Sequence, residues 1–327
     1  MLTYAVRRLI QAIPIMFGIS VLIFLIVQLA PGDPIDRFRT PRIRPEQLEA
    51  LMRLYGLDRP LPEQYVAWIT AFFTFPFDSA AWGFSFTTGL PVRDAIFERI
   101  PATVTLMGTS LAVTMLISIP IGILAAVRQY SWTDKIISWF ATIGYAMPSF
   151  LIGIYVLYFG GVVLGQATGG AISFPLFGRQ SFGKDGDVPD LIWHLILPVT
   201  SLAIQSIAGY SRYLRASMLD VLRQDYVRTA KAKGLPANRV IYKHALRNAM
   251  IPFVTLLGLS LPGLVGGAVI TEGIFSYPGI GQLTIDAIGR NDYPIIYATG
   301  MMTGFLVIVG NLLADIMYGV VDPRIKY

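Results

Sequence analysis

Cysteine is absent from the 327 residues, histidine occurs twice, and charged side chains make up only 14% of the chain. Without thiols there is no disulfide framework and no thiol chemistry. The two histidines, His194 and His244, fall on opposite sides of the membrane in the topology derived below, so they cannot share a metal ion. Only carboxylate sets would remain as metal ligands, and no clustered spacing supports one. A soluble domain carries about 25% charged residues. Here the deficit is concentrated in long uncharged runs, and 54% of the residues are hydrophobic. The class is therefore an all-α integral membrane protein. The net charge of +6 could suggest nucleic acid, but its distribution points elsewhere.

A helix needs about 20 apolar residues to cross hydrocarbon. Six segments qualify, at 9–30, 102–127, 136–165, 191–211, 248–271 and 293–314, and none contains a formally charged side chain. The first follows Arg7 and Arg8 and resembles a signal peptide. Its 22 uncharged residues exceed the roughly 7–15 of a signal core, so it reads as a retained transmembrane helix. Pro14, Pro120, Pro148, Pro198, Pro252 and Pro262 interrupt the runs and predict kinks. The pairs Gly161/Gly165 and Gly300/Gly304 have the spacing that lets helices approach closely.

Lysine and arginine in short loops set the orientation. With the N-terminus inside, the inner segments hold 15 of them and the two short outer loops hold three. Both termini are then cytoplasmic. The organisation that follows is an N-terminal span (1–30), an extracytoplasmic region with short helices (31–101), a core transmembrane domain (102–318) containing the basic segment 212–247, and a cytoplasmic tail (319–327). In the outer region, residues 45–56 read as an amphipathic helix stopped by Gly56. Residues 64–73 form an aromatic-rich interfacial segment, and the whole is a cap on the bundle or a docking surface for an outer partner.

Gly178-Arg-Gln-Ser-Phe-Gly183-Lys184-Asp185 nearly matches a phosphate-binding loop. That loop needs a preceding strand, a following helix and a hydroxyl where Asp185 stands. The segment also lies outside, away from ATP, so an ATP-using system would need another chain to bind the nucleotide. His194, beside Trp193, reads as an interfacial residue.

The polar island DYVRTAKAKGLPANRVIYKHALRNAMIP, residues 225–252, faces the cytoplasm. Leu214, Met218, Leu222 and Tyr226 recur every four residues and predict one helix over 211–233, with Arg212, Arg215, Arg223, Arg228 and Lys231 on its other faces. Gly234 is placed to end that helix in a left-handed conformation. Pro236 then opens a second short helix over 237–247. A basic helix lying on anionic lipid would explain the charges but not the turn.

This stretch resembles the "EAA" coupling segment of ATP-binding cassette (ABC) importer permeases. The general pattern, Glu-Ala-Ala, three residues, Gly, falls on Arg228-Thr229-Ala230 and Gly234; the Glu, the first Ala and a downstream Leu-Pro are absent. The peptide-transporter branch shows this variant, Arg-Thr-Ala-x-Ala-Lys-Gly and His-Ala-Leu-Arg-Asn-Ala, and both strings are present at 228–234 and 244–249. Pro31-Gly-Asp-Pro34, Tyr55-Gly-Leu-Asp-Arg-Pro60, Thr271-Glu272-Gly-Ile-Phe-Ser-Tyr-Pro278-Gly279-Ile-Gly281 and the run from Asn311 through Asp315 to Asp322-Pro323-Arg324 resemble that branch in order along the chain.

The resemblance implies a type I ABC importer permease fold in a bacterial inner membrane. It implies as partners a second homologous permease, two ABC ATPase subunits that hold ATP and magnesium, a periplasmic or extracellular substrate-binding protein, and membrane lipid. It implies no nucleic acid, and no cofactor or catalytic residue on this chain. Arg228, Thr229, Ala230, Lys231, Ala232, Lys233, Gly234, Leu235 and Arg239 would form the ATPase-coupling surface. Ala230 and Gly234 would admit a close backbone, and the basic residues would pair with acids on the ATPase. The polar, glycine-rich fifth segment, with Gly258, Gly263, Gly266 and Gly267, suggests a translocation path near Thr255, Ser260, Thr271 and Glu272. Glu272, Asp286 and Asp315 border the membrane, and Asn311 with Asp315 would orient the tail near Arg324. Dipeptides or oligopeptides are the branch's default cargo; glutathione, nickel chelates and oligosaccharides are alternatives. An ion-coupled secondary transporter is the competing class, and it would want a charged site inside the bundle.

Overall fold

The computed structural model describes residues 2–29, 43–73, 82–260 and 268–321. Among these residues the architecture is helical, with a single isolated bridge between Phe84 and Pro91. Five helices are long and apolar enough to cross a membrane by length and composition: Ile10–Leu29, Val92–Val127, Ser149–Ala167, Val188–Leu222 and Tyr293–Leu312.

Helix α1 (Leu2–Leu29) carries Pro14 without a break. The short α2 (Pro45–Leu54) and α3 (Leu61–Phe73) follow it in sequence. Gly56, at φ +66°, follows α2 as expected. The aromatic segment of α3 packs inward: Tyr65 and Trp68 meet Phe24 of α1 at 5.4 and 6.1 Å between ring centres. The Pro31–Pro34 turn lies outside the described residues.

Helix α4 (Val92–Val127) starts ten residues before the apolar run at 102 and absorbs Pro101 and Pro120. The apolar run 136–165 is not one helix. Pro148 removes a backbone donor and drives Met147 to an extended conformation (φ −73°, ψ 134°). The run therefore divides into α5 (Trp132–Ala146) and α6 (Ser149–Ala167), whose middle, Val156–Val163, widens to π-helical turns. Gln205 donates to the freed Met147 carbonyl at 3.2 Å.

Helix α7 (Val188–Leu222) packs along α4. An added Cβ on Gly122 would lie 3.0 Å from Leu214 and 3.1 Å from the Ser211 carbonyl, so glycine sets that approach. A short α8 (Asp225–Ala232) follows, then a π-helical stretch (Val240–Leu246) that runs into α9 (Arg247–Ser260). The run 248–271 is described as a helix only to Ser260. Pro262, Gly263, Gly266 and Gly267 lie outside the described residues, and the chain resumes as α10 (Val269–Ile274). Two further helices complete it, α11 (Ile280–Gly289) and α12 (Tyr293–Val321). Gly300 and Gly304 of α12 face Ile23 and Ile19 of α1, where an added Cβ would come within 3.1 and 3.0 Å. That close approach is what their four-residue spacing predicted. The side chain of Asp315 and residue Arg324 lie outside the described set.

Candidate functional site

The basic island is built on the lower end of α7. The single helix expected over 211–233 is interrupted at Arg223–Gln224, where Gln224 turns extended (φ −72°, ψ 150°) and starts α8 with Asp225 in its first turn. An acid there suits the positive end of the helix dipole. The break shifts the apolar register. Leu214 and Met218 are fully buried, but Tyr226 is exposed, and Val227 and Ala230 take the inward positions instead.

Gly234 closes α8. Its φ is +76°, its N–H donates to the Lys231 carbonyl at 3.0 Å, and the Leu235 N–H donates to the Ala230 carbonyl at 3.3 Å. This paired bonding is a Schellman turn. Nothing lies within 4 Å of an added Cβ on Gly234, so the glycine answers backbone conformation and not crowding. Pro236 then starts the next helix by accepting from Arg239 and Val240. Leu235, Val227, Ala230 and Val240 close a small core of their own, and Asn248 donates to the Tyr226 hydroxyl at 2.8 Å.

The nine coupling-surface residues are brought together on this unit, but not all face outward. Arg228, Thr229, Lys231, Ala232, Lys233, Gly234 and Arg239 are exposed. Leu235 is half-buried, and Ala230 is turned into the island's core. The Ala230 methyl therefore lets the island's own helices close, and Ala232 and Gly234 are the small outward positions. Arg228 reaches Asp225 at 3.6 Å with both side chains in solvent, a contact worth little.

Arg215, outside those nine residues, is paired within the chain. It forks onto Asp134 of α5, with Nε to Oδ1 at 2.6 Å and Nη2 to Oδ2 at 2.8 Å. Asp134 also accepts from the Tyr130 N–H and the Ser138 hydroxyl, and it is 3% exposed. The Arg215 hydrogen bonds above all hold its carboxyl below the ordinary 3.8; burial opposes them, and the Tyr130 N–H and the Arg215 charge add to them. A lowered folded value means the pair contributes fully at neutral pH and is lost only as pH falls through that value. Sequence reasoning did not single out Asp134. Its only local sign was the Ser131-x-x-Asp134 helix start, where Ser131 caps the Asp134 N–H.

The positions proposed for a path are not gathered into one surface by the described side chains. Thr271 and Glu272 are buried, with no accessible surface left on Glu272. The Glu272 carboxylate accepts from the Thr103 hydroxyl (3.2 Å), the Ala268 N–H (3.2 Å) and the Gln282 N–H (3.0 Å). Thr103 in turn accepts from the Ile280 N–H at 2.8 Å. A Cβ on Gly279 would run into the Glu272 carboxylate and Thr103, and one on Gly281 into the Val269 backbone. The motif Thr271–Gly281 is thus a folded knot around one carboxylate. Ser260 is half-buried, and the Thr255 side chain lies outside the described residues.

His194 is buried in α7, with Nδ1 2.8 Å from the Asp190 carbonyl. The near-miss phosphate loop caps the start of α7: Lys184 reaches Asp190 at 3.5 Å and Ser181 binds the same carboxylate. Among the described residues no three acidic or histidine side chains gather as a metal set.

Two family models cover nearly the whole chain. Residues 118–327 match the binding-protein-dependent transport system inner membrane component, and residues 1–107 match the N-terminal region of such membrane components. The oligopeptide transport system permease protein AppB of Bacillus subtilis is 42% identical over 327 residues, all of both chains. The dipeptide transport system permease protein DppB of Escherichia coli K12 is 37% identical, over all of this chain and 99% of its own. The glutathione transport system permease protein GsiC of Shigella flexneri is 35% identical over the full length of both. With these matches, the chain belongs to the family of inner-membrane components of binding-protein-dependent transport systems.

Proposed function

We propose that this chain is one permease subunit of an ATP-driven ABC importer and forms half of the pathway for dipeptides or oligopeptides delivered by a binding protein. The observation that carries the reading is the island at 225–246. It has a small core, a closed turn and a basic outer face, mounted on the end of α7 and running into α9. A rigid element of this kind transmits a rigid-body shift between subunits, which a loose loop does not. Arg228, Thr229, Lys231, Ala232, Lys233, Gly234 and Arg239 would meet the ATPase groove, with Ala230 and Leu235 supporting them from within. ATP and magnesium would be held by the two ATPase subunits.

In this reading the chain lies in a bacterial inner membrane with six spans and both termini in the cytoplasm. Segment 248–271 is the fifth of these spans. A second, homologous permease would complete the path, and the outer region 31–101 would face the binding protein. The path would follow the segment from Thr255 and Ser260, with Thr271 and Glu272 fixing the shape of its outer end. Peptides are the common chemistry of the relatives' named substrates, since glutathione is itself a small peptide.

The test is a mild-detergent pull-down of the tagged chain from its native membrane. Recovery of a second permease and ATPase subunits supports the reading; recovery of the chain alone, where comparable complexes survive, overturns it. Gly234→Val should insert normally and lose uptake. Cysteine substitutions at 255, 260, 271 and 272 start from a chain with no natural cysteine; substrate protection is expected at Ser260, and its absence at all four would remove the path from this segment.

A further inference from the structure

The reach of the island into the membrane domain is set by what holds α7, and two contacts along α7 grip one other helix. At the lower end Arg215 forks onto Asp134, near the first turn of α5. At the upper end Gln205 binds the carbonyl of Met147, the residue that closes α5. Between them the Arg212 guanidinium lies 5.7 Å from the centre of the Tyr145 ring. Helix α5 is thus fastened to α7 at both ends, and the break before Pro148 ends it.

The lower contact is a built one. Asp134 receives four donors, two of them from a single guanidinium whose fork matches the carboxylate. Its acceptance of the Tyr130 N–H also holds Tyr130 at φ +65°, an uncommon conformation for a bulky residue. So one carboxylate shapes the α4–α5 turn and binds it to α7. On the neighbouring face of α7, Leu214 and Met218 pack on Ile123 and Ala126 of α4 and on Ala245, Ala249 and Phe253, next to the island. The island, the base of α7 and α5 are then one mechanical body.

We infer that Asp134 and Arg215 are positioning residues for coupling: their ion pair makes α5 follow the island when the ATPase moves it. The inference rests on the coupling reading above. Without the pair, motion of α7 would leave α5 behind, and ATP hydrolysis would proceed with less transport.

The experiment uses the whole complex, permeases, ATPases and loaded binding protein, in proteoliposomes. It reads substrate taken up per ATP hydrolysed, together with the amount of assembled complex. Asp134→Asn and Arg215→Gln should each lower that ratio by roughly 2- to 30-fold, the range for coupling networks. The double variant should be no worse than either single one. Arg215→Lys keeps the charge but loses the fork, and should fall between. A change only in the amount of complex, with the ratio intact, overturns the inference and leaves the pair a structural brace. Additive losses in the double variant also overturn it. Gly234→Val separates the two readings: if it lowers the ratio and Asp134→Asn does not, only the strut fails; if neither does, the coupling reading itself fails.

Discussion

At 225–246 the chain turns between helices over open space; at 268–282 it turns inside the protein. Both turns need glycine, for opposite reasons. Gly234 sits at φ +76° with no atom near an added Cβ. Gly279 and Gly281 do not occupy the left-handed region, but each would drive a Cβ into the Glu272 carboxylate, and Gly281 also into the Val269 backbone. The turn at 225–246 is rigid because its backbone hydrogen bonds close it, which leaves its surface available to a partner. The turn at 268–282 is rigid because it is full, with each oxygen of the buried Glu272 carboxylate occupied.

Mutations should separate these two kinds of rigidity. Glu272→Ala strands the N–H groups of Ala268 and Gln282 and should cost about 3 kcal/mol, since each unpaired buried donor costs roughly 1–3 kcal/mol. It should appear as a lower melting temperature or less protein in the membrane; an unchanged melt would mean that the knot does not hold this region. Gly281→Ala should cost about 2 kcal/mol through overpacking. Gly234→Ala should cost about 1 kcal/mol through its left-handed backbone. A larger thermal loss at Gly234 than at Gly281 would reverse the assignment of crowding and conformation. Arg228→Ala should move stability by less than about 0.5 kcal/mol. If the proposed coupling holds, its effect belongs in the salt dependence of ATPase association, and a clear drop in melting temperature would show that Arg228 braces the island instead.

The helices of the bundle were legible because hydrophobic runs report burial in lipid directly. The boundary errors have local causes. Pro148 divides one run, and Gln224 interrupts another where the four-residue spacing continued through Tyr226. Gly234 and Pro236 were legible because a left-handed turn and a helix start each restrict residue type. Asp134 was not, because its partner is 81 positions away and nothing beside it in the chain marks that contact. Glu272 was read as a path residue because it ends a polar, glycine-rich segment. Its hydrogen bonds come from Thr103 of α4, from the Ala268 N–H and from the start of α11, none of which adjoins it in the chain.

By itself the sequence determined the membrane class, the predominance of helix, and the ordered motifs that place the chain in its family. Those properties depend on composition and short spacing, which need no neighbour to be read. The tertiary structure alone decided which basic residue is spent inside the chain, which small residue of the island faces inward, and which carboxylate is sealed. A charged or small side chain acquires its role from the groups packed against it, and that choice is made only when distant helices meet.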